Sequence, residues 1–215
     1  MAKIMLIDNQ DSFVYNLVES LAATGHEYRV YRNTVDVAEV LAAEPALIVL
    51  SPGPGHPTAA GNLMELVDAA IGKIPILGIC LGFQAVLEHF GGEVAPCGPE
   101  HGKSVPMRLT DAGVAHPVFA GLTVDASPDM PDHVGRLVPV ARYHSLGCTT
   151  APAGLTPLAT TGTAAGDVVM AAETANGMAL GLQYHPESIL TPAGPTMLTR
   201  CIDQLLTNSI TGETN

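Results

Sequence analysis

The sequence predicts an α/β protein, a doubly wound and mainly parallel sheet with helices on both faces and a small antiparallel extension. Three observations point there. Short apolar or β-branched runs alternate with segments of helical spacing through the first 90 residues. Two of those runs, ALIVL at 46–50 and the strand-like 74–79, are apolar almost throughout, as expected of parallel strands covered on both faces. After Gly92 the alternation stops, and short strand candidates follow one another without helices.

Residues 4–7 read as the first strand, closed by Asp8-Asn9. Phe13, Leu17 and Leu21, with Val14 and Val18 beside them, fall on one helical face, Ser12 is a candidate N-cap and Gly25 a stop. Residues 28–31 form a second strand and 35–43 a second helix. The strand at 46–50, a helix at 64–71, the strand at 74–79 and a helix at 81–90 complete the series, ended by Gly91-Gly92. Residues 104–109, 138–142, 168–173 and 178–184 are the strands of the expected antiparallel extension, and 193–206 is a closing helix. Residues 1–207 read as one domain without a linker or repeat. Residues 208–215 read as a loose tail, and the Pro-, Asp- and Gly-rich stretch 125–136 as a surface loop.

Composition narrows the function. Of 215 residues, 21 are acidic and 9 basic, a net charge of −12 that repels nucleic-acid phosphate and anionic lipid. The longest apolar run, residues 74–81, is far too short to span a bilayer. The N-terminus lacks the layout of a signal peptide, so a cytoplasmic location is expected. Cys80, Cys97, Cys148 and Cys201 are scattered, without a CxxC pair or a histidine at metal spacing, which argues for free thiols and against a metal centre. One of them is then a candidate nucleophile.

Cys80 sits in Gly78-Ile79-Cys80-Leu81-Gly82, between a buried strand and a helix, in the Gly-x-nucleophile-x-Gly pattern of a nucleophile elbow. So tight a turn leaves no room for Cβ atoms on its flanks and lifts the thiol out of the sheet. The next helix aims its N-terminus at the sulfur, which favours negative charge there, and the Leu81 N–H would face an oxyanion. The plain alternative is a small buried core cysteine. A thiol nucleophile needs a base and an orienter, and His185-Pro186-Glu187 offers both at the end of another apolar strand. Two residues apart in extended backbone, His185 and Glu187 point to one side, and Pro186 holds His185 extended. The other seven histidines are rival bases, with His144 in the most distinctive context. Ser51-Pro52-Gly53-Pro54-Gly55 follows the strand expected beside the elbow. Its rigid, uncluttered backbone suits close approach to a ligand, and Gly53 N–H is a candidate second oxyanion donor. Gln84, one helical turn after Cys80, shares its face.

Taken together, PGPG, GICLGFQ, RYHSL and HPES resemble the class I glutamine amidotransferases, a flavodoxin-like family. DNQDSFVYN and HPESIL narrow the likeness to the glutaminase small subunits of anthranilate and aminodeoxychorismate synthases. It runs from about Lys3 to Leu206, with the motifs in family order. The resemblance implies hydrolysis of L-glutamine by Cys80, His185 and Glu187. It implies that Gly53, Pro54, Gly55, Gln84, Ser145 and Leu146 line the substrate site, Ser145 and Leu146 through backbone. Ammonia would pass to a chorismate-binding large subunit (anthranilate synthase component I in the leading case), which would carry Mg²⁺, with no cofactor in this chain. The aminodeoxychorismate pathway and a standalone cysteine γ-glutamyl hydrolase are the alternatives. Two departures stand out: Phe83 occupies a position usually held by His, and the 125–136 loop is longer than usual.

Overall fold

The computed structural model describes residues 1–98, 102–127, 129 and 132–212. The first half runs β1 (Lys3–Asp8), α1 (Val14–Ala23), β2 (Glu27–Arg32), α2 (Val37–Ala42), β3 (Leu47–Leu50), α3 (Leu63–Ala70), β4 (Ile76–Ile79) and α4 (Leu81–His89). The second half runs β5 (Ala95–Pro96), β6 (Lys103–Leu109), α5 (Asp111–Ala115), β7 (Leu137–Arg142), β8 (Leu146–Gly147), β9 (Leu155–Thr163), β10 (Gly166–Thr174), β11 (Ala179–Leu182) and α6 (Gly194–Gly212).

Nine strands form one sheet in the order β2-β1-β3-β4-β11-β10-β9-β6-β7, while β5 and β8 pair separately. The strands from β2 to β11 are parallel, and those beyond β11 antiparallel. All four residues of β3, of β4 and of β11 are buried, whereas the edge strand β2 buries none fully. Alternation along each strand sorts its side chains between two cores. Ile4, Leu6, Leu47 and Val49 meet Leu17 and Leu21 of α1 and Met197 and Ile202 of α6 on one face. Met5, Ile7, Ile48 and Leu50 meet α2, α3 and α4 on the other.

Several expectations change. The strand read at 178–184 joins the antiparallel extension on one side only, pairing antiparallel with β10. β11 inserts beside β4 in parallel register, Gly181 opposite Gly78, and so brings its end next to the elbow. The sequence reading omitted β9, whose apolar residues are interrupted by threonine and proline, together with α5 and the β5–β8 pair. Ser12 does not cap α1, which begins after Phe13 without a side-chain cap. Phe13 itself is 46% exposed. α6 continues through residue 212, past its expected end and into the expected tail. In the 125–136 loop, Asp125 Oδ1 accepts from the N–H groups of Arg136 and Leu137 at 2.8 Å each, tying the loop's two ends together. Residues 128, 130 and 131 of that loop lie outside the described residues.

The strand order reverses between β1 and β3, which in open α/β sheets marks the ligand crevice at the carboxyl ends of the strands. There the segments after β1 and β3 are tied together. Asn9 N–H donates to Ser51 Oγ, and Asn9 Nδ2 to the Ser51 carbonyl, both at 2.8 Å. The ends of β4 and β11 follow along the same edge of the sheet.

Candidate active site

Cys80 begins α4 with φ 50° and ψ −103°, a conformation that side chains rarely adopt. The turn is held on both sides. Cys80 N–H extends the sheet ladder to the Leu182 carbonyl at 2.8 Å, and Cys80 C=O accepts the first helical bond from Gln84 N–H at 3.0 Å. The flanking glycines are needed for space. A Cβ on Gly78 would lie 2.7 Å from the Gly82 carbonyl oxygen, and one on Gly82 would strike the Leu50 carbonyl. The expected elbow is thus present, with its strained residue at the nucleophile position.

His185, at the end of β11, is brought to Cys80 by the parallel pairing of β11 with β4. Its Nδ1 lies 2.6 Å from Glu187 Oε1, and Cys80 is close enough to favour the charged imidazole. The Glu187 side chain is only 1% exposed. Burial alone would depress the imidazole pKa, but the hydrogen bonds and charges of Cys80 and Glu187 outweigh it and hold His185 well above its ordinary value of 6.5. The backbone of His185 is clamped as well. Its N–H donates to the Ala141 carbonyl at 3.2 Å, and its carbonyl accepts from Thr191 Oγ1 at 2.7 Å. The Tyr143 ring packs edge-on against the imidazole at 5.0 Å.

His144, the leading rival base, is excluded by its surroundings. Arg142 Nε donates to its Nε2 at 3.1 Å, so Nδ1 carries the proton and donates to the Leu146 carbonyl at 2.8 Å. Burial first, then the Arg142 charge, lowers its pKa from 6.5 to about 4. It is a neutral strut. His56 and His89 face Glu88 and Asp68, His133 faces Asp125, and His116 pairs with Glu173. His26 Nδ1 accepts from the Ala2 N–H, and His101 lies outside the described residues.

The expected substrate residues fall into two groups. Gly53 is pressed against Asn9 and Leu81; an added Cβ would lie 2.5 Å from the Asn9 carbonyl oxygen and 2.8 Å from Leu81 Cδ2. The two candidate oxyanion residues, Gly53 and Leu81, are therefore neighbours, while Pro54 and Gly55 form the exposed rim of that loop. Gln84 is buried, not a surface side chain. Its Nε2 donates to the Leu146 carbonyl at 2.9 Å and to Gln183 Oε1 at 3.3 Å. The Ser145 carbonyl accepts from Cys97 N–H and Sγ, and the Leu146 carbonyl from Gln84 and His144. With both lone pairs of each carbonyl engaged, a backbone contact from this turn to a ligand has to come from an N–H.

Phe83, the departure from the usual His, does not reach the site. It is fully buried and lies on Gly181 of β11, where a Cβ would collide with the ring. On the outer side of His185 a cleft of about 730 Å³ runs between α1, Tyr143, residues 185–189 and the start of α6. Its rim includes Phe13 and Ile189, the latter 95% exposed. Sequence reasoning missed Gln183, Tyr143 and Thr191. Gln183 carried a usable signal, because it lies two residues before His185 and so points to the same side of the strand end. Among the described residues no group of three or more His, Cys, Asp or Glu side chains could hold a metal ion.

A strained cysteine at a strand–helix turn, paired with a carboxylate-oriented histidine from the neighbouring strand, defines a cysteine-dependent acyl-transfer enzyme. Residues 5–205 match the family described as glutamine amidotransferase class-I, and the chain belongs to that family. It is 58% identical to the anthranilate synthase component 2 of Corynebacterium glutamicum, over 97% of this chain and 100% of that protein. It is 39% identical to the protein of the same name from Vibrio parahaemolyticus, over 96% and 97%. Identity is 42% to a pyocyanine-specific anthranilate synthase component 2 of Pseudomonas aeruginosa, over 93% and 92%. Among solved structures, a putative GMP synthase subunit from Thermoplasma acidophilum shares the fold with a TM-score of 0.76 at 21% identity, covering 99% of this chain and 96% of that one.

Proposed function

We propose that this glutamine amidotransferase is the glutaminase subunit of an anthranilate synthase, using Cys80, His185 and Glu187 to release ammonia for a chorismate-using large subunit. One observation carries the chemistry: the strained Cys80 stands beside His185 closely enough to favour its charged form, and His185 Nδ1 is 2.6 Å from buried Glu187. The name shared by relatives up to 58% identical supports the pathway.

In this reading the Cys80 sulfur attacks the side-chain amide carbon of L-glutamine, and Gly53 and Leu81 N–H groups receive the oxyanion. His185, protonated and held by Glu187, gives its proton to the departing nitrogen, so ammonia and a γ-glutamyl thioester result. Water then attacks the thioester with His185 as base, releasing glutamate and restoring the thiol. Gln84, its amide nitrogen already engaged, offers Oε1 to the substrate ammonium. Pro54, Gly55, Ser145 and Leu146 border the same space.

Mg²⁺ and the aromatic chemistry belong to the partner. Its docking face is the cleft beside His185, where exposed Phe13 and Ile189 flank the triad's outer side. Ammonia formed at Cys80 would be sealed from solvent by a partner seated on this rim. A cytoplasmic setting fits the four free cysteines, and no described helix is long and apolar enough to cross a membrane.

The test measures glutamate released from glutamine by the chain alone, then with an anthranilate synthase component 1 and chorismate. Strong stimulation with anthranilate formed is expected. Equally fast hydrolysis without a partner would point to a standalone hydrolase.

A further inference from the structure

The geometry points to Gln183 as a further catalytic residue, whose side-chain amide donates a hydrogen bond to the reacting sulfur of Cys80. Gln183 is fully buried at the end of β11, and its Nε2 lies 3.7 Å from Cys80 Sγ. Its orientation is fixed by a chain of side chains reaching across the site. Gln84 Nε2 donates to Gln183 Oε1 at 3.3 Å, so that Oε1 is the acceptor and Nε2 must face the sulfur. Gln84 is in turn held by the Leu146 carbonyl, which also accepts from His144, itself gripped by the buried Arg142. Arg142 completes the chain on Cys97 Sγ at 3.4 Å and the Gly98 carbonyl at 3.5 Å.

A hydrogen bond from a buried amide strengthens as its acceptor gains negative charge. Gln183 therefore stabilises the sulfur more as thiolate than as thiol. The inference rests on Cys80 being the nucleophile of the proposed glutaminase. It assigns the amide of Gln183 to the sulfur, where a purely structural role would leave it to the core.

The experiment follows the pH dependence of iodoacetamide alkylation at Cys80, monitored by loss of glutaminase activity in the complex and by mass spectrometry. All four cysteines are buried, Cys80 the least so at 7% exposure, and a Cys80→Ser chain supplies the background from the other three. Gln183→Met keeps the volume and removes the donor; Gln183→Glu keeps the shape and places an acceptor at the sulfur. Gln183→Met is expected to lower the alkylation rate at neutral pH about tenfold, moving the midpoint up by about one pH unit. Gln183→Glu should move it further in the same direction. Variants that fold and titrate with the parent would overturn the assignment, even if their glutaminase rate fell. If alkylation leaves the parent active, Cys80 is not the nucleophile and this inference falls with that reading.

Discussion

Two buried histidines, one just after β7 and the other just after β11, are driven in opposite directions by their neighbours. His185 has two partners that prefer it charged, and its pKa is raised well above 6.5 despite burial. Its pairing therefore stabilises the fold fully below 6.5, and that contribution is lost as pH rises through the raised value. His144 is buried against a guanidinium and lowered to about 4. Its contribution is present above 6.5 and is lost as pH falls from 6.5 towards 4, because the unfolded chain then binds the extra proton. Replacing His144 with Asn should flatten the acid side of the stability profile by on the order of 3 kcal/mol, read from urea midpoints at pH 4.5 and 7.5; an unchanged difference between the two pH values would show that His144 is not the titrating group. Glu187→Gln should move the basic limb of glutaminase kcat/KM to lower pH and reduce the rate on the order of 100-fold. A limb that stays in place would mean that Glu187 does not hold the imidazole proton. At this scale much was legible. The elbow and the His-x-Glu pair stand out because their chemistry needs particular residue types at close spacing. Gln183 did not stand out: its spacing from His185 gives it a side, but its role depends on the sulfur that the neighbouring strand brings.

At the scale of elements, the four-residue strands β3, β4 and β11 carry the site, and each is recognisable from its unbroken apolar run. What the runs could not convey was order. The stretch at 178–184 follows a series of strands without helices, and sequence proximity suggests the antiparallel neighbour it has in β10, but not that its other edge pairs with β4 and completes the parallel set. That choice is tied to small residues. Gly181 of β11 leaves the space that Phe83 of α4 fills, and Gly78 of β4 leaves the space for the turn at Gly82. Phe83→His should therefore be a packing change: an imidazole placed in an apolar site without a partner costs about 1–3 kcal/mol. Chemical denaturation should show this loss while the glutaminase kcat is retained. A large fall in kcat with unaltered stability would instead tie position 83 to the site. Gly181→Ala should destabilise more severely, because its Cβ meets the Phe83 ring from a strand buried on both faces. β9 escaped notice for the opposite reason: its threonines and proline break the apolar run, and its place is fixed by its long pairing with β10.

For the whole molecule, charge and shape determine the kind of partner. A net charge of −12 argues against nucleic acid and anionic membrane more readily than it identifies a protein, and the proposed docking face is legible only in the fold, where α1, Tyr143 and the start of α6 border the cleft beside His185. Ile189→Asp places a charge on that exposed rim and should weaken binding of component 1 at least about tenfold by calorimetry, while the partner's ammonia-dependent synthesis is unchanged. Undiminished affinity would place the interface elsewhere. The central claim is that Cys80 generates the ammonia consumed by a second subunit. It is tested most directly by anthranilate synthesis in the complex carrying Cys80→Ser, supplied in turn with glutamine and with ammonium salt. Synthesis lost with glutamine and retained with ammonium is the predicted result. Equal loss with both nitrogen donors, or continued synthesis from glutamine, would contradict it.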